Sequence, residues 1–276
     1  MTNKLEQLLN QIHNLPQIPE VVRNIINLLN DPYSEVLDIV KNVEKEQVIA
    51  LKILRLVNSA HFGLSRKVSS IEEATMMIGL SQLKLLVIAS GIVHAIPRIP
   101  HFDIRAFWKQ SFLTASIAKW FADKAGLPAE VAYTAGLFSG LGNILIHIGS
   151  PRDANEIDQH VKAGGFRPDL ERNRLGFTNQ AACGELLRRW KLADELINAI
   201  KNSAEPLSEI PADKLACAVY VGGYISQCVA HGASHEHILD KFPYAVAEQI
   251  GFNADAIEES LHHVLGAHFN LDELID

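Results

Sequence analysis

The chain has 276 residues, enough for one large domain or two small ones with a substantial core. Hydrophobic residues make up 48% and charged residues 21%, which excludes the low-hydrophobicity composition of a disordered chain. The formal net charge is −7, and residues 205–276 hold 2 basic against 12 acidic groups, a balance that argues against generic nucleic-acid binding through clustered Lys and Arg.

Apolar residues recur at helical spacing almost throughout, without an alternating run bounded by hairpin turns, so the predicted fold is all-α. Leu5, Leu8, Leu9 and Ile12 mark a first short helix, and the prolines of Leu15-Pro-Gln-Ile-Pro19 break it by removing backbone donors. A second helix runs to about Asn30, a third starts near Ser34, and a fourth covers 46–60. Ser70-Ile-Glu-Glu73 has capping-box spacing and predicts a helix start, with Gly79 as its end. A long apolar helix runs from Ser81 and stops before Pro97.

Residues 97–103, with two prolines, are the candidate linker. Beyond it the periodicity predicts helices at about 103–125, 128–138, 141–148, 151–163, 178–190, 193–202, 212–230 and 254–266. Thr178, Ser150 and Ser234 are candidate caps, while Gly164, Gly165 and Pro168 suggest a loop-like interruption. The expected organisation is an N-terminal lobe over 1–100, a second helical lobe over 101–206, and an acidic helical extension over 207–276 packing on the second lobe.

Three cysteines, Cys183, Cys217 and Cys228, form no C-x-x-C pair, so neither a disulfide framework nor a thiolate zinc knuckle is indicated. The N-terminal residues lack the basic-then-apolar order of a secretory signal. The most apolar stretch, 83–96, is shorter than the ~20 residues of a membrane span. The expectation is a cytoplasmic protein without membrane insertion.

Three segments in order carry a resemblance: Leu15-Pro-Gln-Ile-Pro-Glu20, Leu54-Arg-Leu-Val-Asn-Ser-Ala-His-Phe-Gly-Leu64, and Ser70-Ile-Glu-Glu-Ala-Thr-Met-Met-Ile-Gly-Leu80. Over about residues 10–206 the chain resembles the HDOD domain family, bacterial signalling modules related to the HD superfamily of metal-dependent phosphohydrolases. The resemblance implies a second lobe of HD-like fold, in which enzymes hold metal with a His, a His-Asp pair and a further Asp.

Those ligand types suit divalent ions that polarise phosphate and acidify water. Here the matching segments supply others. Phe107-Trp-Lys-Gln-Ser111 has Gln110 at the first His position, and Gly136-Leu-Phe-Ser-Gly-Leu-Gly-Asn143 has Ser139 and Gly140 at the His-Asp pair. Gly176-Phe-Thr-Asn179 has Asn179, and Ala199-Ile-Lys-Asn-Ser-Ala-Glu-Pro206 has Asn202 and Ser203, where histidine is common in the family. Neutral amides and hydroxyls bring no charge to offset dehydration of the ion. The expected lobe is a degenerate HD-like one without metal or cofactor.

The resemblance thus implies a non-enzymatic signal-transduction protein that recognises a protein or small effector through helix faces and an inter-lobe groove. Arg55, Asn58 and His61 are candidate contacts, together with the vacated pocket at Gln110, Ser139, Gly140, Asn179 and Asn202. Family members are commonly joined to receiver, kinase or cyclic-di-GMP-turnover domains; with no room for one here, the expected partner is such a signalling protein in trans. The alternative is a metal-dependent phosphohydrolase acting on a nucleotide or cyclic dinucleotide, with ligands drawn from His231, His235, His262 and His263. His231 and His235 stand i, i+4, but Gly232 is expected to end their helix.

Other motifs favour structural readings. Cys217 and Cys228 fall on one helical side as small hydrophobes. Gly136, Gly140 and Gly142 lack the Lys-Ser/Thr of a phosphate loop and suit close helix packing. Arg188, Arg189 and Lys191, with Arg172 and Arg174 near in sequence, would serve an anion-binding adaptor only by forming one exposed basic face.

Overall fold

A computed structural model of the protein describes residues 2–12, 20, 22–24, 36–58, 64, 66–80, 83, 86–87, 90–91, 99–100 and 102–266. Helices and no strand occur among them: α1 (Thr2–Gln11), α2 (Val36–Glu44), α3 (Gln47–Val57), α4 (Ile71–Ile78), α5 (Ile104–Lys124), α6 (Ala129–Phe138), α7 (Leu141–Gly149), α8 (Pro151–Lys162), α9 (Arg167–Leu175), α10 (Asn179–Arg189), α11 (Asp194–Asn202), α12 (Lys214–Ala230), α13 (His235–Asp240), α14 (Tyr244–Glu248) and α15 (Ala254–Gly266). The all-α expectation holds. His61 and most of the predicted helices near 20–30 and 81–96 lie outside the described residues.

The chain divides into two compact units, residues 16–98 with 269–276, and residues 1–15 with 99–268. The junction at 98/99 falls inside the proline-bearing segment. The sequence pattern groups residues 1–100 together, whereas α1 belongs to the larger unit: Leu8, Leu9 and Ile12 share a core with Leu145, Ile146, Ile157 and Leu186. Its apolar face is thus covered by α7, α8 and α10, and the division between the units falls at 15/16.

In the smaller unit α2, α3 and α4 pack on one another through Ile39, Val43, Ile53, Leu56 and Ile71, all buried. Ser70 caps α4 by accepting the Glu73 N–H at 3.1 Å. The Glu73 carboxylate turns back to the Ser69 N–H at 2.8 Å and pairs with Arg66, so the capping pattern forms shifted by one residue from the ideal box.

The larger unit is built around α5, which packs along α6 and α12. Trp108, Phe112 and Phe121 of α5 are fully buried, and each such side chain contributes about 2–3 kcal/mol of transfer free energy. Asp103 caps α5 by accepting the Ala106 N–H at 3.0 Å, and Asp213 caps α12 through the Leu215 and Ala216 N–H groups. Residues 129–149 are, among the described residues, the stretch long and apolar enough to cross a membrane, and most of it is buried inside the fold.

The segment read as a loop after Gly165 is a correction. It forms α9, with Pro168 in the first turn, where a missing N–H costs nothing and the fixed φ suits the helix. Gly176 ends it at φ 83°, left-handed, and Thr178 then caps α10 through the Ala181 N–H. This tight stop and restart lays α9 beside the first turn of α10.

Candidate functional site

The positions matching the HD ligand set all lie in the larger unit, in different settings. Gln110 is exposed on α5. The Ser139 hydroxyl donates to the Gly136 carbonyl at 2.8 Å, one turn back in α6. The Asn202 amide donates to Asp213 Oδ2 at 3.2 Å and so supports the α12 cap.

Gly140 shows what occupies the space. A Cβ built there would lie 2.8 Å from Cε2 and 3.1 Å from Cζ of Phe107, and 3.6 Å from the Ser111 Oγ. The Phe107 ring, one turn before Gln110 on α5, stands where an aspartate at 140 would have to start. Gly142 has a different duty: its Cβ position coincides with the Asn179 backbone carbonyl, so only glycine lets α7 and α10 approach this closely.

Asn179, buried at the start of α10, is held by Glu171 of α9. Its backbone N–H donates to Glu171 Oε2 at 2.6 Å, and its side-chain amide donates to both carboxylate oxygens at 2.9 and 3.0 Å. Glu171 is fully buried; burial pushes its carboxyl above the usual carboxylate range, opposed by the Asn179 N–H and by Arg167. Its negative charge sits against the N-terminus of α10, where the helix dipole favours it.

Arg167 extends this pair into a network. Its guanidinium lies 3.5 Å from Glu171 Oε1, donates to the Asn143 side chain at 3.2 Å, and pairs with Asp158 of α8. Asp158 receives a second approach, from His147 Nε2 of α7 at 3.1 Å, close in distance but without the alignment of a full hydrogen bond. Burial works against the Asp158 charge, yet His147 and Arg167 together hold its carboxyl below the usual range. Four helices, α7 to α10, are thereby tied by one polar network inside the lobe.

This arrangement does not fit a divalent ion. Ser139, Asn179 and Asn202 are committed to protein partners, the carboxylates nearby are paired with Arg167 or hydrogen-bonded by the Asn179 amide, and the Phe107 ring stands at the Cβ position of Gly140. Among the described residues no three His, Cys, Asp or Glu side chains are grouped to hold a metal.

The HDOD domain family matches residues 15–206. The chain belongs to the HDOD domain family. Of solved structures, a Shewanella amazonensis SB2B protein provisionally named a phosphohydrolase is similar at 26% identity and TM-score 0.81, covering 98% of each chain. An HDOD domain protein of unknown function from Geobacter sulfurreducens matches at 21% identity and TM-score 0.78, covering 95% of this chain and 93% of that one. A Marinobacter aquaeolei VT8 protein provisionally named for signal transduction matches at 20% and TM-score 0.79, covering 99% and 64%. The latter two show the fold alone.

An uncharacterised protein of Treponema pallidum (strain Nichols) is 26% identical over 204 residues, 72% of this chain. YuxH of Bacillus subtilis (strain 168), also uncharacterised, is 26% identical over 156 residues, 56% of this chain. The matched segments span 40% and 36% of those proteins' own lengths.

Two HDOD-block candidates lie in the smaller unit. Asn58 ends α3 and brackets Val68, its amide donating to the Val68 carbonyl and its Oδ1 accepting the Val68 N–H, both at 2.8 Å. That is a backbone-like clamp, which gives Asn58 a structural duty. Arg55 is exposed on α3.

The late histidines gather only in part. His235 and His262 stack with ring centroids 4.6 Å apart, while His231 Nδ1 contacts the Gln227 carbonyl at 2.8 Å as Gly232 ends α12 at φ 67°. Cys183 and Cys217 are buried, and burial pushes their thiols to about 12 and about 11, away from nucleophilic use. The basic cluster is largely engaged in ion pairs: Arg188 and Arg189 share Glu185, Arg172 pairs with Asp169 and Glu205, and Arg174 with Asp153.

Sequence reasoning missed Phe107, His147, Asp158, Arg167 and Glu171. The i, i+4 spacing of Arg167 and Glu171 and the Pro168 helix start were the available signals. Nothing local marks Phe107 as the ring that fills the space at Gly140, because that depends on how α5 meets the α6–α7 turn.

Proposed function

We propose that this HDOD protein is a non-enzymatic regulatory module of signal transduction that acts by recognition, not hydrolysis. The observation that carries the reading is the Phe107 ring at 2.8 Å from the Cβ position of Gly140, in the space an HD aspartate would need. The engagement of Asn179 by Glu171 and of Asn202 by Asp213 supports it. The partner in this reading is a signalling protein bound in trans, of the receiver, kinase or cyclic-di-GMP-turnover kind. Arg55 stands on α3 with Val48 and Leu51, whose apolar side chains are exposed; the spacing 48, 51, 55 puts all three on one helical face.

The test is an assay of the purified protein with Mn²⁺, Mg²⁺ or Zn²⁺ on a phosphomonoester and on a cyclic dinucleotide. No turnover above a Gly140→Trp control is expected. Metal-dependent turnover abolished by replacing His235 and His262 would overturn the reading. That second possibility, a phosphohydrolase, draws on the name of the Shewanella protein and on the His235–His262 contact.

A further inference from the structure

Two exposed apolar features, one on each unit, stand apart from the buried network. On α3 the inward residues Ile49, Ile53, Leu56 and Val57 are buried. The outward stripe of Val48, Leu51 and Arg55 is exposed, Val48 at 56% and Leu51 at 67%. The helix carries Lys52 and Arg55 and no acidic residue, so an apolar stripe lies beside positive charge, a pairing that suits an apolar partner bearing negative charge.

The second feature is the connection between α11 and α12. Leu207 is 44% exposed and Ile210 99%, with Glu209 exposed between them. Residues 205–213 hold Glu205, Glu209 and Asp213 and no Lys or Arg. The segment is fixed at both ends: Ser208 donates to the Glu205 carbonyl through its N–H at 3.0 Å and its hydroxyl at 2.7 Å, and Asp213 caps α12. A single exposed apolar residue is ordinary; two on an anchored acidic turn form a knob that pays little ordering entropy on binding.

The free charges of the two features match. Arg55 and Glu209 form no ion pair among the described residues, whereas Arg66, Arg172 and Arg188 each pair with a carboxylate. We propose that the 207–210 turn of one molecule docks on the α3 stripe of a second copy of the chain. Leu207 and Ile210 meet Val48 and Leu51, and Glu209 meets Arg55.

The contact joins two different patches, so it is head to tail, and it either closes on itself or runs on into longer assemblies. Both patches are small, which makes it a weak, reversible association. The proposal rests on the reading of α3 as a recognition face and names an occupant for it; a second copy there competes with any other partner for the same stripe.

Sedimentation velocity of the full chain over about 5–500 µM, a span that brackets micromolar affinity, tests the contact. The average mass is expected to rise with concentration and to fall with added salt, which screens the charge pair. Ile210→Asp and Leu51→Asp are each expected to weaken association about tenfold or more. Arg55→Glu and Glu209→Arg should each weaken it about fivefold, and the two together should restore it, because the pair re-forms with its signs exchanged. All four positions are exposed, and thermal unfolding checks that each variant is folded. A chain that stays monomeric throughout overturns the proposal, as does association that these substitutions leave unchanged or a double reversal no stronger than either single one. Metal-dependent turnover would sink the recognition reading without altering any of these outcomes.

Discussion

The Gly140 side and the Asn179 side of this lobe, two positions where the HD resemblance would place metal ligands, are built in opposite ways. At Gly140 the issue is volume, and an apolar ring, Phe107, takes the space. At Asn179 it is charge, and a fully buried carboxylate, Glu171, is balanced by Asn179 and Arg167. A ring at a Cβ position must shift to admit a larger residue beneath it, whereas a polar network tolerates no missing member. The two sides should therefore fail differently when altered.

The largest effect is expected from Glu171→Ala. It strands the Asn179 N–H and amide in the core and removes one partner of Arg167, at a cost of about 3 kcal/mol, since a broken buried pair leaves its other half uncompensated. Urea unfolding reads it. Gly140→Asp should cost about 2 kcal/mol by overpacking against Phe107, and Phe107→Ala in the same chain should recover part of that loss; additive costs would contradict the plug. In the smaller unit, Asn58→Ala removes both bonds to Val68 and should cost about 1–2 kcal/mol.

Asp158 and Glu171 also differ in the sign of their pH dependence. The Asp158 carboxyl is lowered in the fold, so its stabilising contribution is complete above its unfolded value and fades as pH falls through the folded one. Glu171 is raised, so its ionisation costs stability as pH rises from the unfolded value through the folded one, and acid relieves that cost. Asp158→Asn should flatten the acid limb of the stability profile, and Glu171→Gln should steepen it. The smallest effect is that of Arg55→Ala, within about 0.5 kcal/mol on stability as for an exposed residue, leaving partner binding as its readout.

Much of the fold was legible from periodicity and caps. Ser70, Thr178 and Ser234 cap helices as their spacing suggested, and Gly136 and Gly142 do serve close packing. The positions where the resemblance would place ligands, Gln110, Ser139 and Gly140, sit in segments readable from the sequence. That the Phe107 ring stands at the Gly140 Cβ position was not legible. Glu171 and Arg167 lie in a stretch whose Gly-Gly-x-x-Pro opening reads as a loop, although Pro168 in a first turn is equally a helix start. Asn58 was a candidate contact from the family block, and in the structure both its hydrogen-bonding ends are used by Val68. In each case the missing information is long-range: which polar group a neighbouring helix brings.

The central claim, that this HDOD lobe has closed its metal site with a ring and a network, is tested most directly by metal content. Elemental mass spectrometry of the purified protein, with thermal unfolding in Mn²⁺, Mg²⁺ and Zn²⁺, should find no stoichiometric metal and a Tm indifferent to all three ions. Stoichiometric metal, with a Tm raised by one of them and the rise abolished by replacing Asp158 or Glu171, would contradict the account.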